Sequence, residues 1–496
     1  MRCVAIRWTR LNALLAALAV LPNPVSAADA PPPILRMEDG PGGATCDDYD
    51  ASMRLSWVRK GGDWVDANGT LHGAKPFSTA QVMGISNGPV ELDLTALLKR
   101  AADKGGFHGV LISGVGGSEI VLATRENKNP ALHPRLVLKT VDGREQRLSP
   151  RADTYLNCTS NKSLGAQEAM RAGAGQYAVL DFDLGGVALK NVQQATLELY
   201  PLNIYGRSAL LSAFALDGPV LQPAPAPESG LAAQLGEARL ADNPAVLFTE
   251  TFEEAGWIKR WSIFGEQSKA EAVTSGPGFA PLQGKALKVT VPAGGKLGLD
   301  LRYRFREKLG KEPEEAYLRY YVRFPSEWKT PVDGGKLPGL SGTYGRAGWG
   351  GRTPDGYNGW NARMLFRRQA PEGHSMHDKV GVGTELSVPE VPGVQREGHF
   401  TWAGGHAGVL DKNRWYCIEQ YVKMNTVGQA DGIVRGWVDG RLAFERTGVI
   451  FRHTDKLKIE EVWMNVYHGG GQPTPRDIPM YIDSVVAATR YIGPAR

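Results

Sequence analysis

Apolar and polar residues alternate with period two along much of this chain, which places successive side chains on opposite faces of extended strands. Ala178-Val-Leu-Asp-Phe-Asp-Leu and Ala195-Thr-Leu-Glu-Leu-Tyr alternate in this way. Gly109-Val-Leu-Ile-Ser reads as a buried strand, Ala123 to Thr140 ends in an extended one, and Ala152-Asp-Thr-Tyr-Leu opens another. Val90 starts a strand that runs into a short helix. From Gly218 prolines accumulate and the period is lost, so residues 218–244 read as a Pro/Ala-rich linker. The pattern predicts an all-β chain, with a β-sandwich region over 49–217 and a second β domain over 245–496. In the latter, the segments Thr249 to Glu253 and Met480 to Ile492 are expected to pair.

The second domain carries strands with two distinct faces. Trp360, Ala362, Met364 and Phe366 point one way, while Asn361, Arg363 and Arg367 point the other, so one face is core and the other suits an anion. Trp415 to Asn425 sets Ile418, Val422 and Met424 against Glu419, Tyr421 and Lys423. The next strand offers Arg435 and Trp437, and Glu461 to Tyr467 offers Trp463, Asn465 and Tyr467. If one curved sheet gathers these faces, they form a single groove in which rings stack on sugars and cations hold carboxylates. Ahead of the Arg363 strand, the loop Gly334-Gly-Lys-Leu-Pro-Gly-Leu presents Lys336 between glycines that let the backbone bend closely around a ligand.

Composition narrows the classes. The formal charge of +5 is small for 496 residues, and no zinc-finger, helix-turn-helix or Arg/Lys-rich arm is present, so nucleic acid is not an expected partner. Met1 to Ala27 reads as a secretory signal peptide: Arg2, Arg7 and Arg10 precede an apolar run from Leu11 to Leu21, and Val25-Ser-Ala suits cleavage. That run is short for a bilayer, no later segment is longer, and a secreted or periplasmic location follows. Residues 28–48 are an N-terminal extension. An oxidising compartment permits Cys46 to pair with Cys158, while Cys417 sits in a strand pattern as buried packing.

The Gly-Gly-Lys-Leu-Pro-Gly-Leu run, with the Asn361/Arg363 strand some two dozen residues on, resembles the alginate and glucuronan lyases of polysaccharide lyase family 14. The resemblance implies a C-terminal β-jelly roll, with Lys336 as catalytic lysine and Arg363 as carboxylate-binding arginine. Ahead of it, Thr124-Arg-Glu-Asn, Pro134-Arg-Leu and Ala152-Asp-Thr-Tyr-Leu resemble the disaggregatase-related carbohydrate-binding modules of family 96, but with closing and opening phrases in reversed order. One permuted module or two fused ones would give that order, with Trp57, Trp64 and Tyr155 as candidate stacking rings.

The implied chemistry is β-elimination on an acidic polysaccharide. Removing the C5 proton beside a carboxylate requires neutralisation of that carboxylate, a base, and an acid for the leaving O4. Arg363, with Asn361 beside it, suits the first task, and Lys336 is either base or electrostatic clamp. Family members carry a Tyr-x-Tyr pair on the strand after the arginine. This chain has His374-Ser-Met-His377 near the counted position, making His377 the first candidate for proton transfer and His374 the second. Tyr344, Tyr357 and Tyr467 are substitutes. Expected substrate contacts are Tyr344, Glu419, Tyr421, Lys423, Arg435, Trp437, Asn465 and Tyr467, with no metal and no cofactor. A glucanase-type Glu-x-Asp-x-x-Glu strand is absent, and Gly84-Ile-Ser-Asn-Gly reads as a turn rather than a nucleophile elbow. The competing class is a non-catalytic exopolysaccharide-binding or matrix protein.

Overall fold

The computed structural model describes residues 43–495 except 52–54, 85–87, 105, 116–117, 219–227, 277, 330–333, 371, 373–375, 392–397, 403–406 and 470–472. The signal-peptide reading, His374 and the centre of the Gly84 turn lie outside the described residues. In the N-terminal region, Ala152–Asn157, Gln176–Asp181, Val110–Val115, Ala209–Leu216 and Trp64–Val65 form one antiparallel sheet, joined by Ser78–Val82. Val90–Asp93, Val192–Leu199, Arg135–Thr140 and Glu145–Leu148 form a second, and three shorter strands a third. Alternation does the work: Ala195, Leu197 and Leu199 are buried while residues between them reach the surface. One core, including Leu92, Leu97, Ile112, Leu136, Leu180 and Leu211, serves all three sheets and the helix Thr95–Lys104. The reversed phrases meet within it, where the Arg125 amide donates to Asp153 at 2.9 Å. The stretch is therefore built around one core and not two.

The C-terminal region is a sandwich of two antiparallel sheets. The back sheet runs Ala270–Val273, Ala286–Val291, Ile478–Ala488, Glu315–Arg323, Trp415–Lys423, Gly432–Val438 and Arg441–Val449. Val246–Glu250 also pairs with Ile478–Ala488, bringing the first and last strands together. The front sheet runs Ile263–Phe264, Leu297–Arg304, Glu461–His468, Gly335–Lys336, Met364–Phe366, Lys379–Leu386 and Gly398–Thr401. Leu301, Met364, Phe366, Val382 and Met464 from the front pack on Leu318, Tyr320, Ile418, Val422 and Met480 from the back.

The expected single groove is corrected here. Glu419, Tyr421, Lys423, Arg435 and Trp437 belong to the back sheet, on its outer face and away from Lys336 and Arg363. That face is covered by the chain itself. Glu419 is fully buried and accepts from the Ile492 and Gly493 amides at 2.8 and 2.7 Å. Tyr421 stacks on Tyr317, and Trp437 lies against Tyr491 and donates to Glu228. Leu231, Ala232 and Leu240, from the stretch read as linker, pack there with Val486 and Ile492. Period two says that a strand has two faces; it does not say which sheet the strand joins.

Cys46 and Cys158 form a disulfide, and Cys417 is free and buried. The tethered hairpin of Asp48–Asp50 and Leu55–Ser56 contributes Tyr49, Leu55 and Trp57 to an apolar cluster. That cluster draws Leu111 and Leu156 from the N-terminal region and Ala370 and Met376 from the C-terminal one. Trp57 and Tyr155 are buried, so these two rings are packing, whereas Trp64 is half-buried and its indole donates to the Gly73 carbonyl.

Candidate active site

Five adjacent strands of the front sheet bring the site together. Gly335–Lys336 lies between Glu461–His468 and Met364–Phe366, with Lys336 in register with Tyr467 and Leu365. The flanking glycines serve close strand approach, not the bend around a ligand expected from sequence. A Cβ at Gly335 would stand 2.0 Å from the Tyr467 carbonyl oxygen, and Gly334 has φ of +89°. Trp360, Ala362, Met364 and Phe366 all enter the core, which turns Asn361, Arg363 and Arg367 to the other side. On the next strand Val380, Val382 and Leu386 are core, leaving Gly381, Gly383 and Glu385 facing the site.

Glu385 is the hub, and it was not among the residues picked from sequence. Its carboxylate lies 2.7 Å from Lys336 Nζ, 3.3 Å from Arg363 Nη2 and 3.4 Å from His399 Nε2, and accepts from Asn361 Nδ2 at 3.1 Å. His399 Nε2 is also 3.4 Å from Lys336 Nζ. Burial by itself raises the Glu385 pKa, but the His399 hydrogen bond and the charges of Lys336 and Arg363 outweigh it and hold the carboxyl well below its ordinary range. Burial lowers the Lys336 ammonium, with Glu385 acting against that shift, and burial likewise lowers Arg363. The available sequence signal was Gly381-x-Gly383-x-Glu385, an alternation whose site face carries no bulk until the carboxylate.

Arg363 is locked in place. Its Nε and backbone amide donate to Asn361 Oδ1 at 3.1 and 2.9 Å, its Nη1 donates to Asn465 Oδ1 at 2.6 Å, and its guanidinium lies 3.9 Å over the Trp463 ring. Asn361 is wholly buried, so it orients Arg363 rather than joining it in holding an external carboxylate. Arg302 lies 4.2 Å over the same ring, and Trp463 Nε1 donates to Asp300 at 2.6 Å. Arg367 donates to Thr401 Oγ1 and the His399 carbonyl.

Of the other expected residues, Asn465 and Tyr467 face this cluster. Tyr344 does not: its hydroxyl donates to Glu312 and accepts from the Lys458 amide, and burial pushes its pKa up. His377 sits in a turn, with Nδ1 3.0 Å from the Ala370 carbonyl and Nε2 3.9 Å from Asp378. Counting from Arg363 misplaced it, because the following strand begins only at Lys379. Among the described residues no cluster of three or more His, Cys, Asp or Glu could hold a metal ion.

Residues 283–481 match the family model Polysaccharide lyase 14. The match takes in most of the C-terminal sandwich and none of the N-terminal region. No curated protein matches the chain. Among solved structures, a variant of alginate lyase Aly36B in complex with an alginate tetrasaccharide is 19% identical, with TM-score 0.38, covering 51% of this chain and 99% of that one. The PL-14 alginate lyase from Aplysia kurodai is 17% identical, with TM-score 0.39 and coverage of 49% and 99%. The endo-β-1,4-glucuronan lyase from the fungus Trichoderma reesei is 13% identical, with TM-score 0.34 and coverage of 49% and 95%. On the strand after Arg363 the site face carries Gly381, Gly383 and Glu385, and the strand holds no tyrosine. No helix among the described residues is long and apolar enough to cross a membrane. The disulfide is consistent with an extracytoplasmic location.

Proposed function

We propose that the protein is an exported polysaccharide lyase that cleaves a uronate polymer, such as alginate or glucuronan, by β-elimination. The observation that carries this reading is the convergence of Lys336, Arg363, Glu385 and His399 on one open face of a polysaccharide lyase 14 domain. Arg363, held by Asn361 and Asn465 and backed by Trp463, neutralises the substrate carboxylate together with the Lys336 ammonium as charge develops at C5. Glu385 keeps both cations charged and positioned until substrate arrives. His399, bonded to Glu385 and half exposed, takes the C5 proton. Tyr467, the register partner of Lys336, gives a proton to O4.

The test is ultraviolet absorbance of the unsaturated uronate product on alginate, polymannuronate, polyguluronate, glucuronan and hyaluronan. Absorbance should rise on at least one polymer and be lost in Lys336→Ala and His399→Gln but retained in His377→Gln. The strand after Arg363 holds no tyrosine, where the family resemblance implies a pair, and this favours a second reading, a glycan-binding protein without turnover. Retardation in a polysaccharide gel with no absorbance on any polymer would select it.

A further inference from the structure

One end of the front-sheet site is bordered by a segment that the lyase domain does not supply. The row of site strands ends at Gly398–Thr401, and the hairpin strand Leu55–Ser56 packs beside that edge. Between them lies a cavity of about 500 Å³, lined by Asp47, Asp48 and Ser56 on the hairpin side and by Arg367, Glu385 and His399 on the sheet side. Away from the hairpin, the site face continues across Asn465 and Trp463 to Arg302 and Asp300.

The hairpin is anchored as a wall. The Cys46–Cys158 disulfide ties its base to the N-terminal sandwich. The Trp57 indole donates to the Thr45 carbonyl at 3.0 Å, and the Asp48 amide donates to Thr45 Oγ1 at 3.0 Å. Tyr49, Leu55 and Trp57 are buried in the cluster shared by both regions. Its charge is as telling as its position. Asp47 is paired with Lys60 at 3.1 Å, and Asp48 accepts from Ser56 Oγ at 2.7 Å, so both carboxylates are held at this end of the cavity. At this end Asp47, Asp48 and Ser56 stand across the cavity from Arg367 and His399, so the carboxylates of a polyuronate running past would meet acceptors as well as cations. The hydroxyls of a terminal sugar would find acceptors.

We propose that this hairpin makes the site take the end of a uronate chain and not its interior, so that cleavage releases short products from a terminus. The proposal rests on the lyase reading above and adds the mode of attack. In the full-length mature protein, absorbance on alginate or glucuronan should rise well ahead of any fall in viscosity, with short unsaturated products from the first minutes. Cys46→Ser/Cys158→Ser, and separately Asp47→Asn/Asp48→Asn in case the first variant fails to fold, should shift the products to longer chains and bring the viscosity loss forward. Immediate viscosity collapse with long products from the unmodified protein would overturn the proposal while leaving the lyase reading intact. If no polymer yields absorbance, the lyase reading fails by itself. Calorimetric titration with uronate oligomers of rising length then decides the end-binding claim: one protein per chain at every length supports it, and a stoichiometry that grows with length overturns it.

Discussion

Replacing Glu385 by Gln tests the centre of the site most directly. The carboxylate stands 2.7 Å from Lys336 Nζ and 3.3 Å from Arg363 Nη2. At an effective dielectric constant of about 20 these separations correspond to roughly 6 and 5 kcal/mol of gross attraction. Burial of the three charged groups offsets most of it, and removing one member of a buried pair typically costs about 3–5 kcal/mol. Because 17% of the Glu385 side chain reaches solvent, the lower end, about 3 kcal/mol, is expected. With about 2–4 °C lost per kcal/mol, the melting temperature should fall by roughly 6–12 °C in a thermal melt followed by circular dichroism. The same substitution removes a carboxylate that competes with the substrate for Lys336 and Arg363. A short uronate oligomer should therefore bind about tenfold more tightly by titration calorimetry, equivalent to about 1.4 kcal/mol, and should restore part of the lost melting temperature. Turnover should fall, since His399 loses its carboxylate partner. An unchanged melting temperature together with weaker oligomer binding would refute the idea that Glu385 and the substrate share one pair of cations.

Other expectations follow from single contacts. Arg363→Lys keeps the charge but loses the fork to Asn361 and Asn465, so kcat should fall about 100–1000-fold with a smaller change in KM, whereas His377→Gln should leave kcat nearly unchanged in the same assay. Glu419→Ala should leave kcat intact while lowering stability in urea titration by about 2–5 kcal/mol, because two buried backbone amides lose their acceptor. Asp153 is pushed up to about 8, first by burial and also by its neighbour Glu126, against the Arg125 amide hydrogen bond. The folded carboxyl thus keeps its proton to a higher pH than the unfolded one, which releases it near 4. Between those values the native state binds more protons, so this group's contribution makes stability fall as pH rises. Asp153→Asn should flatten that decline in melts taken between pH 5 and 8.

Strands and their inward faces were readable in the sequence because period two is a local property. Trp360, Ala362, Met364 and Phe366 enter the core as their spacing requires, and Lys336, Arg363, Asn465 and Tyr467 share the opposite surface. The pairing of the first and last strands of the C-terminal sandwich and the Cys46–Cys158 bridge were also within reach, the first from the fold class and the second from compartment and cysteine number. Assignment of strands to sheets was not. Trp415–Lys423 and Gly432–Val438 show the same alternation as the site strands, but hydrogen bonding to Glu315–Arg323 puts them in the back sheet, where chain from both sides of the domain covers their polar face.

Neither Glu385 nor His399 lies in a motif, so the sequence does not single them out. They reach Lys336 only through strand pairing across gaps of 49 and 63 residues. Counting along the chain points to His377 because it assumes a short turn, whereas the strand after Arg363 starts only at Lys379. The amino-acid order alone determined which residues each strand turns inward and which cations it leaves outward, since that follows from the geometry of one extended chain. Only the tertiary structure decided which outward faces meet, that a buried carboxylate sits between the two cations, and that an N-terminal hairpin stands at the end of their groove, because those depend on pairings between segments far apart in sequence.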